Sequence, residues 1–154
     1  MAIQGMAKLG HRRLRYAGFT LIEVIIVVVI VGFLMMLMLP AYQESMRKGR
    51  RADAKAALMT AANREESFML DRGTYTEDMM DLNLATVADD PMISEEGHYS
   101  IEAAECGDGI ATCYTLTATP VAGGAQAEDT KCATLILRST GAKEATGTAA
   151  TECW

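Results

Sequence analysis

Residues 19–39 read FTLIEVIIVVVIVGFLMMLML, an apolar run in which Glu23 is the only charged residue. A helix rises about 1.5 Å per residue, so a helical run of this length spans roughly 30 Å, the thickness of a bilayer's hydrocarbon core. A charged residue costs about 2.5–3.5 kcal/mol at the centre of a membrane helix and less near its end. The run therefore predicts a transmembrane helix, and Glu23 raises the question of which group neutralises it.

The segment in front of the run, residues 1–18, is basic and contains no acid. Its four bases are Lys8, Arg12, Arg13 and Arg15. This charge favours the cytoplasmic side of a membrane. A secretory signal has a shorter apolar region and then a small-residue cleavage site, whereas this run leads into Pro40. Charge and hydropathy leave two other leaders open, an uncleaved signal anchor and a twin-arginine export signal.

The sequence GFTLIEV at residues 18–24 resembles the type III signal of type IV pilins and related pseudopilins. In that family a prepilin peptidase of the inner membrane cuts after the glycine and methylates the new N-terminal residue. The resemblance implies cleavage between Gly18 and Phe19, N-methylation of Phe19, and Glu23 as the fifth residue of the mature chain. It extends over at least residues 12–76.

In a chain cleaved after Gly18, Glu23 can pair with the new N-terminal amine. A free amine at Phe19 and the Glu23 carboxylate are neighbours at i, i+4 within one subunit. Between two staggered subunits, the amine of one can neutralise the carboxylate of the next. A slip would leave a charge unpaired in an apolar bundle, so the pair would set the axial register. An acid tolerated near the membrane interface is the alternative.

One long helix is predicted from the apolar run onward. Residues 41–72 are rich in good helix formers, and Gly73 is placed to end the helix. Pro40 lacks a backbone donor and predicts a kink. Several apolar residues recur at helical spacing and predict a stripe against a domain, with Glu65 as the exception on that face. The residues of this stripe are Ala54, Leu58, Ala61 and Phe68.

The rest of the chain predicts a small head. Three segments alternate apolar and polar residues and predict antiparallel strands: 98–103, 114–119 and 133–138. The acidic stretch 74–96 predicts a surface loop with one short helix. Together with the resemblance, this gives an α+β pilin fold, a long kinked N-terminal helix packed on a small antiparallel sheet. The predicted parts are a cleaved leader (1–18), a transmembrane or filament-core helix (19–40), its amphipathic half (41–73) and an exported head (74–154).

Charge is divided along the chain. Residues 71–154 carry fifteen acids against four bases, and residues 19–70 carry five against six. An acidic head repels nucleic acid at long range and argues against it as a partner. The one basic cluster after the run predicts a solvated face or a contact with lipid headgroups. Its members are Arg47, Lys48, Arg50, Arg51 and Lys55.

The four cysteines all lie in the predicted head, at Cys106, Cys113, Cys132 and Cys153. An even number in a small exported domain predicts disulfides, with three connectivities open. We favour Cys106–Cys113, which closes a tight loop, and Cys132–Cys153, which ties the tail to the last strand. The pilin resemblance implies the second pair, because a disulfide around a C-terminal loop recurs in that family. The spacings lack the paired knuckles of a zinc site, so no metal ligand is assigned.

No nucleophile elbow, phosphate-binding loop or zinc-protease motif occurs in the sequence. Catalysis is therefore not predicted, and neither a catalytic residue nor a cofactor is assigned.

The predicted function is that of a structural subunit of a type IV pilus. The segment CYTLTATP at 113–120 and the pair Cys153-Trp154 resemble PilE-type minor pilins. The resemblance implies assembly with major and minor pilins, processing by prepilin peptidase, and contact with the inner-membrane assembly machinery. It also implies an inner-membrane precursor with a periplasmic head, an extracellular pilus, and roles in twitching motility and adhesion. The alternatives are a type II secretion pseudopilin and a DNA-uptake pilin.

Overall fold

The structure, a computed structural model, describes residues 18–154. The chain divides into two compact units, one ending at Leu39 and the other comprising Pro40–Trp154. Residues 1–17, which hold the four bases of the predicted leader, lie outside the described part of the chain.

Helix α1, Leu21–Arg72, contains 52 residues. Within residues 18–154 it is the one helix long and apolar enough to cross a membrane. It ends at the predicted Gly73, whose φ of 75° lies in the left-handed region that favours glycine. The Gly73 N–H donates to the Met69 carbonyl oxygen at 2.9 Å, which satisfies one of the last carbonyls of the helix. Pro40 lies inside α1, and the kink at this residue stays a prediction.

Five strands form one antiparallel sheet in the order β1-β2-β3-β4-β5, so each strand pairs with the next in sequence. The strands are β1 (Met92–Ile93), β2 (Tyr99–Glu105), β3 (Tyr114–Pro120), β4 (Thr134–Arg138) and β5 (Lys143–Thr146). A 3₁₀ helix, Ala150–Glu152, follows β5. The predicted α+β class is confirmed, and the three predicted strands correspond to β2, β3 and β4.

Two strands and one helix differ from the sequence prediction. The short helix predicted within residues 74–96 is wrong, because this segment forms turns and then the two-residue strand β1. The edge strand β5 was not predicted, since Ala145 is its one partly buried residue and its sequence shows no apolar alternation. Two apolar residues of the acidic segment, Met79 and Leu82, are buried in the core.

The hydrophobic core joins one face of α1 to one face of the sheet. Ala54, Leu58 and Ala61 of the predicted stripe are fully buried, and Phe68 is partly buried against the same core. The sheet contributes alternating buried residues from its three central strands: Tyr99, Ile101, Tyr114, Leu116, Ala118, Leu135 and Leu137. Burying each large aliphatic side chain contributes about 1.5–3 kcal/mol. The small alanines let the helix lie close to the sheet, and this fixes the position of every polar group along the same helix face.

Candidate functional site

The start of α1 holds Glu23 in a helix-capping arrangement. Thr20 precedes the helix, and its Oγ1 accepts a hydrogen bond from the Glu23 N–H at 3.3 Å. Threonine followed three residues later by glutamate is the capping-box pattern, which stabilises a helix N-terminus. An acid in the first turn also interacts favourably with the helix dipole. The TLIE pattern at residues 20–23, not recognised from the sequence, therefore gives Glu23 a local role besides the predicted intersubunit one.

The apolar part of α1 is exposed along its whole length. Every large apolar side chain from Phe19 to Leu39 is exposed, with exposed fractions between 43% at Val31 and 81% at Phe19. Soluble monomers rarely expose contiguous apolar patches above a few hundred Å². This surface is therefore suited to burial in a membrane, to packing against other helices, or to both in succession.

The second half of α1 carries a buried ion pair. The Arg51 guanidinium donates to both carboxylate oxygens of Asp129, with Nε to Oδ2 at 2.7 Å and Nη2 to Oδ1 at 2.8 Å. The exposed fractions are 4% for Arg51 and 2% for Asp129. Gln126 Nε2 donates to Asp129 Oδ2 at 2.8 Å and to the Tyr99 hydroxyl at 2.9 Å. This network ties α1 to the loop between β3 and β4.

Further charges surround this pair. Glu44 Oε1 lies 3.6 Å from Arg51 Nη2, and Glu44 Oε2 lies 3.1 Å from Lys131 Nζ. The hydrogen bond to Asp129 raises the pKa of Arg51. Burial alone would raise the pKa of Asp129, but the hydrogen bond and charge of Arg51 outweigh it and hold that pKa below its ordinary value. Both partners are therefore ionised at neutral pH.

Glu65 is a second buried carboxylate of α1, with no exposed surface. Its Oε2 accepts a hydrogen bond from the Thr76 N–H at 3.2 Å, while its Oε1 is buried without a partner among the described residues. Burial raises the pKa of Glu65 to about 7; the Thr76 hydrogen bond lowers it, and the neighbouring Glu66 raises it further. The bond to Thr76 fixes the chain just after the helix ends at Gly73.

We expect the substitution Glu65→Gln to stabilise the fold at alkaline pH. Because the folded-state pKa is above the unfolded one, ionising Glu65 destabilises the fold as pH rises from about 4.5 to about 7. Glutamine keeps an acceptor for Thr76 without the charge. It should raise the free energy of unfolding by roughly 2–3 kcal/mol at pH 8 and have little effect at pH 4.5. Urea unfolding followed by Trp154 fluorescence measures this, with exposed Asp71→Asn as control. Equal effects at both pH values would contradict the prediction.

Both disulfides lie in the head. Cys106 is bonded to Cys113 and Cys132 to Cys153, with Cα–Cα distances of 5.7 and 5.8 Å. Cys132 and Cys153 are fully buried, and the Cys132 N–H donates to Asp129 Oδ1 at 3.3 Å. The second disulfide therefore attaches the tail directly beside the buried ion pair.

The basic cluster predicted as one face has three different environments. Arg51 is buried in the pair with Asp129, so the prediction of a solvated or lipid-facing side chain is wrong for it. Lys48 is exposed, while Arg47 and Arg50 are half-buried and line a groove. Lys55 Nζ lies 5.9 Å from the centroid of the Trp154 ring, and Lys143 Nζ lies 5.2 Å from the same centroid. No motif or spacing in the sequence predicts this pairing of two lysines around one indole.

Sequence reasoning also missed the residues that surround Arg51. Asp129 and Gln126 lie in a turn-rich connection with no periodic pattern, 78 and 75 positions after Arg51. A buried arginine among exposed bases has no local signature. A basic residue at i−3 from the buried Ala54, on the stripe face, is the one available hint.

These features together define a pilin-like subunit. An exposed apolar helix bears an acid in its first turn, and later residues of the same helix pack on a small antiparallel head closed by disulfides. The family model described as "Type IV minor pilin ComP, DNA uptake sequence receptor" matches residues 40–136. The chain belongs to this type IV minor pilin family. The prokaryotic N-terminal methylation motif matches residues 13–39.

Individual proteins give similar matches. The chain is 33% identical over 89 residues to the type II secretion system core protein G of Aeromonas hydrophila, a match that covers 55% of this chain and 62% of that protein. It thus spans about three fifths of the length of this relative. A solved type IV pilin from Shewanella oneidensis is 27% identical, with a TM-score of 0.45 and coverage of 70% of this chain and 97% of that one.

Proposed function

We propose that this chain is a minor structural subunit of a type IV pilus. Its precursor is anchored in the inner membrane by residues 19–40, with the head in the periplasm. Prepilin peptidase cuts between Gly18 and Phe19 and methylates Phe19. The mature subunit then enters the filament through α1 and is found on the extracellular pilus, where it supports assembly, twitching motility and adhesion.

The observation that carries this proposal is the contrast along α1. Up to Leu39 the helix exposes all its large apolar side chains, whereas from Arg51 to Glu65 it buries one face in the head. A segment of this kind needs a bilayer before assembly and neighbouring helices after it. In the filament, Glu23 pairs with the amine of a neighbouring subunit and sets the register. Such head-to-tail contacts do not close and so generate a helical filament. The partners are other major and minor pilins and the inner-membrane assembly machinery.

The number of copies per filament tests the proposal. Mass spectrometry of sheared surface pili should find this chain, with Phe19 as its N-methylated first residue, at a small fraction of the major subunit. Recovery as the bulk subunit would refute a minor role. Absence from surface pili, together with loss of type II secretion on deletion, would favour the pseudopilin alternative that the Aeromonas relative suggests.

A second candidate function is binding of DNA for uptake. The family description names a DNA uptake sequence receptor, and the Lys55–Trp154–Lys143 cluster offers two cations and an aromatic ring on an otherwise acidic head. Such a combination suits contacts with DNA phosphates.

For this candidate, we expect the full chain to bind duplex DNA in a salt-dependent manner. Replacing both Lys55 and Lys143 by Gln should weaken binding and lower the slope of log K against log salt by about 2. Fluorescence anisotropy across a salt series measures both quantities. The exposed Arg64→Gln should leave the slope unchanged. If the double variant binds with the wild-type slope, this cluster is not the DNA-binding surface.

A further inference from the structure

A groove beside the first turns after the apolar run has no assigned role. It has a volume of about 470 Å³. One wall is the helix segment 42–50, and the other is the loop between β3 and β4. The lining residues are Tyr42, Gln43, Met46, Arg47, Arg50, Ala125 and Glu128.

We propose that this groove binds the phosphate of an anionic phospholipid headgroup while the chain is anchored in the membrane. The proposal rests on the membrane-anchored precursor of the proposed function, but not on the copy number in the filament or on the choice between pilus and pseudopilus.

Among the described residues, two arginines of the groove are free to bind an anion. Arg47 and Arg50 are three residues apart in α1 and so lie on neighbouring positions of one face. Within residues 18–154, neither arginine has a carboxylate oxygen within 4.0 Å. Arginine is suited to phosphate because its planar guanidinium donates two parallel hydrogen bonds.

The surrounding acids leave these two arginines available. Glu44 is engaged by Arg51 and Lys131, and Asp129 is engaged by Arg51. Among the described residues, Glu128 is the one carboxylate that lines the groove with the two arginines, while Glu96 lines a neighbouring pocket together with Arg50. The groove is therefore cationic, while residues 71–154 carry fifteen acids against four bases. An anion is the ligand that this charge selects.

The groove-lining residues follow the apolar run closely in sequence, and this favours a lipid phosphate as the anion. Tyr42 follows Leu39, the last apolar residue of the run, by three positions, which is less than one helical turn. Tyr42 is 64% exposed and Met46 is 42% exposed, although both lie on the groove. Exposed aromatic residues next to a membrane segment lie at the level of the headgroups, so the arginines of the groove are placed at the depth of the lipid phosphates. A lipid offers both the phosphate for the arginines and an apolar portion for Tyr42 and Met46.

Lipid retention by the full chain tests the proposal. The chain is reconstituted in nanodiscs of equimolar phosphatidylglycerol and phosphatidylcholine, released in mild detergent, and the retained lipids are counted by native mass spectrometry. Wild type should retain phosphatidylglycerol in preference to phosphatidylcholine. Arg47→Gln/Arg50→Gln should lower this retention by about tenfold, because two charge-assisted contacts are lost. The matched double variant Lys48→Gln/Arg64→Gln removes the same charge outside the groove and should behave as wild type.

The other outcomes separate the possible failures. Equal retention of both lipids, or equal loss in both double variants, would overturn a defined lipid site. Unchanged lipid retention by Arg47→Gln/Arg50→Gln, with loss of co-purifying pilins, would assign the groove to an acidic segment of a neighbouring subunit instead. Failure of wild type to insert into nanodiscs would overturn the membrane-anchored precursor as well.

Discussion

Replacing Asp129 by alanine is expected to lower the free energy of unfolding by about 3–5 kcal/mol. The variant leaves the Arg51 guanidinium buried without its bidentate carboxylate, and within residues 18–154 Glu44, at 3.6 Å, is the one carboxylate left within 4.0 Å. It also removes an acceptor from the Gln126 amide and from the Cys132 N–H. Urea unfolding of the full chain in detergent, followed by the fluorescence of the single tryptophan, measures the loss.

The exposed pair Arg138–Glu144 provides a matched control. It has the same bidentate geometry, with distances of 2.6 and 3.1 Å, but both side chains are almost half exposed. Glu144→Ala should therefore lower the free energy of unfolding far less than Asp129→Ala does. If Asp129→Ala costs as little, burial does not determine the strength of the Arg51 pair.

A double variant distinguishes the cost of leaving one charge unpaired from the net contribution of the ion pair to the free energy of unfolding. Replacing a buried ion pair by apolar residues of similar size is often neutral or stabilising. Arg51→Met/Asp129→Leu should therefore unfold at a higher urea concentration than Asp129→Ala alone. If the losses of the single variants Arg51→Met and Asp129→Leu add up to the loss of the double variant, the two side chains act independently.

The second large effect concerns filament assembly. Glu23→Ala should leave removal of residues 1–18 intact and reduce incorporation into pili by at least about tenfold, equivalent to about 1.4 kcal/mol. The reason is that the amine of a neighbouring Phe19 would be left unpaired among apolar helices. Mass spectrometry of sheared pili gives the copy number, and the N-terminal mass gives the extent of cleavage.

The capping role of Glu23 calls for a second variant. Glu23→Gln preserves the capping box, since glutamine serves at this position as well as glutamate does, but it removes the charge. If the charge sets the register, Glu23→Gln should fail to assemble as Glu23→Ala does. Wild-type incorporation of Glu23→Gln would mean that helix capping, and not pairing with a neighbouring amine, explains the need for this residue.

The sequence predicted the parts of the fold that have a periodic signal. The stripe from Ala54 to Ala61 and the strands β2 to β4 each repeat at the spacing of a buried face, and the apolar run was predictable from its length and continuous hydropathy. Gly73 was predictable because a helix that ends in a left-handed residue favours glycine. Strand β5 was not, because an edge strand with Ala145 as its one partly buried residue shows no apolar alternation.

The burial of the polar side chains Glu65 and Arg51 has no periodic signal in the sequence. The sequence predicts Glu65 as an exception on the buried face. Its raised pKa, however, depends on burial by the parts of the head that cover it, and the Thr76 N–H, which lowers this pKa, lies in the segment after the helix. Arg51 was placed among solvated bases because its partner, Asp129, is remote in sequence. Whether a charged side chain is buried depends on the residues that pack over it. These residues are remote in sequence, so no local pattern predicts the burial.

The position of Asp129 has a mechanical consequence. Asp129 is bonded to α1 through Arg51, and three residues later Cys132 is covalently joined to Cys153 beside Trp154. Besides the hydrophobic core, a pull along α1 therefore reaches the tail by a polar route made of one bidentate contact and one covalent bond. The contact can open and re-form under load, while the covalent bond limits how far the loop can be drawn out. The non-covalent part of this route is a pair of charges, so its strength should depend on the ionisation of Asp129.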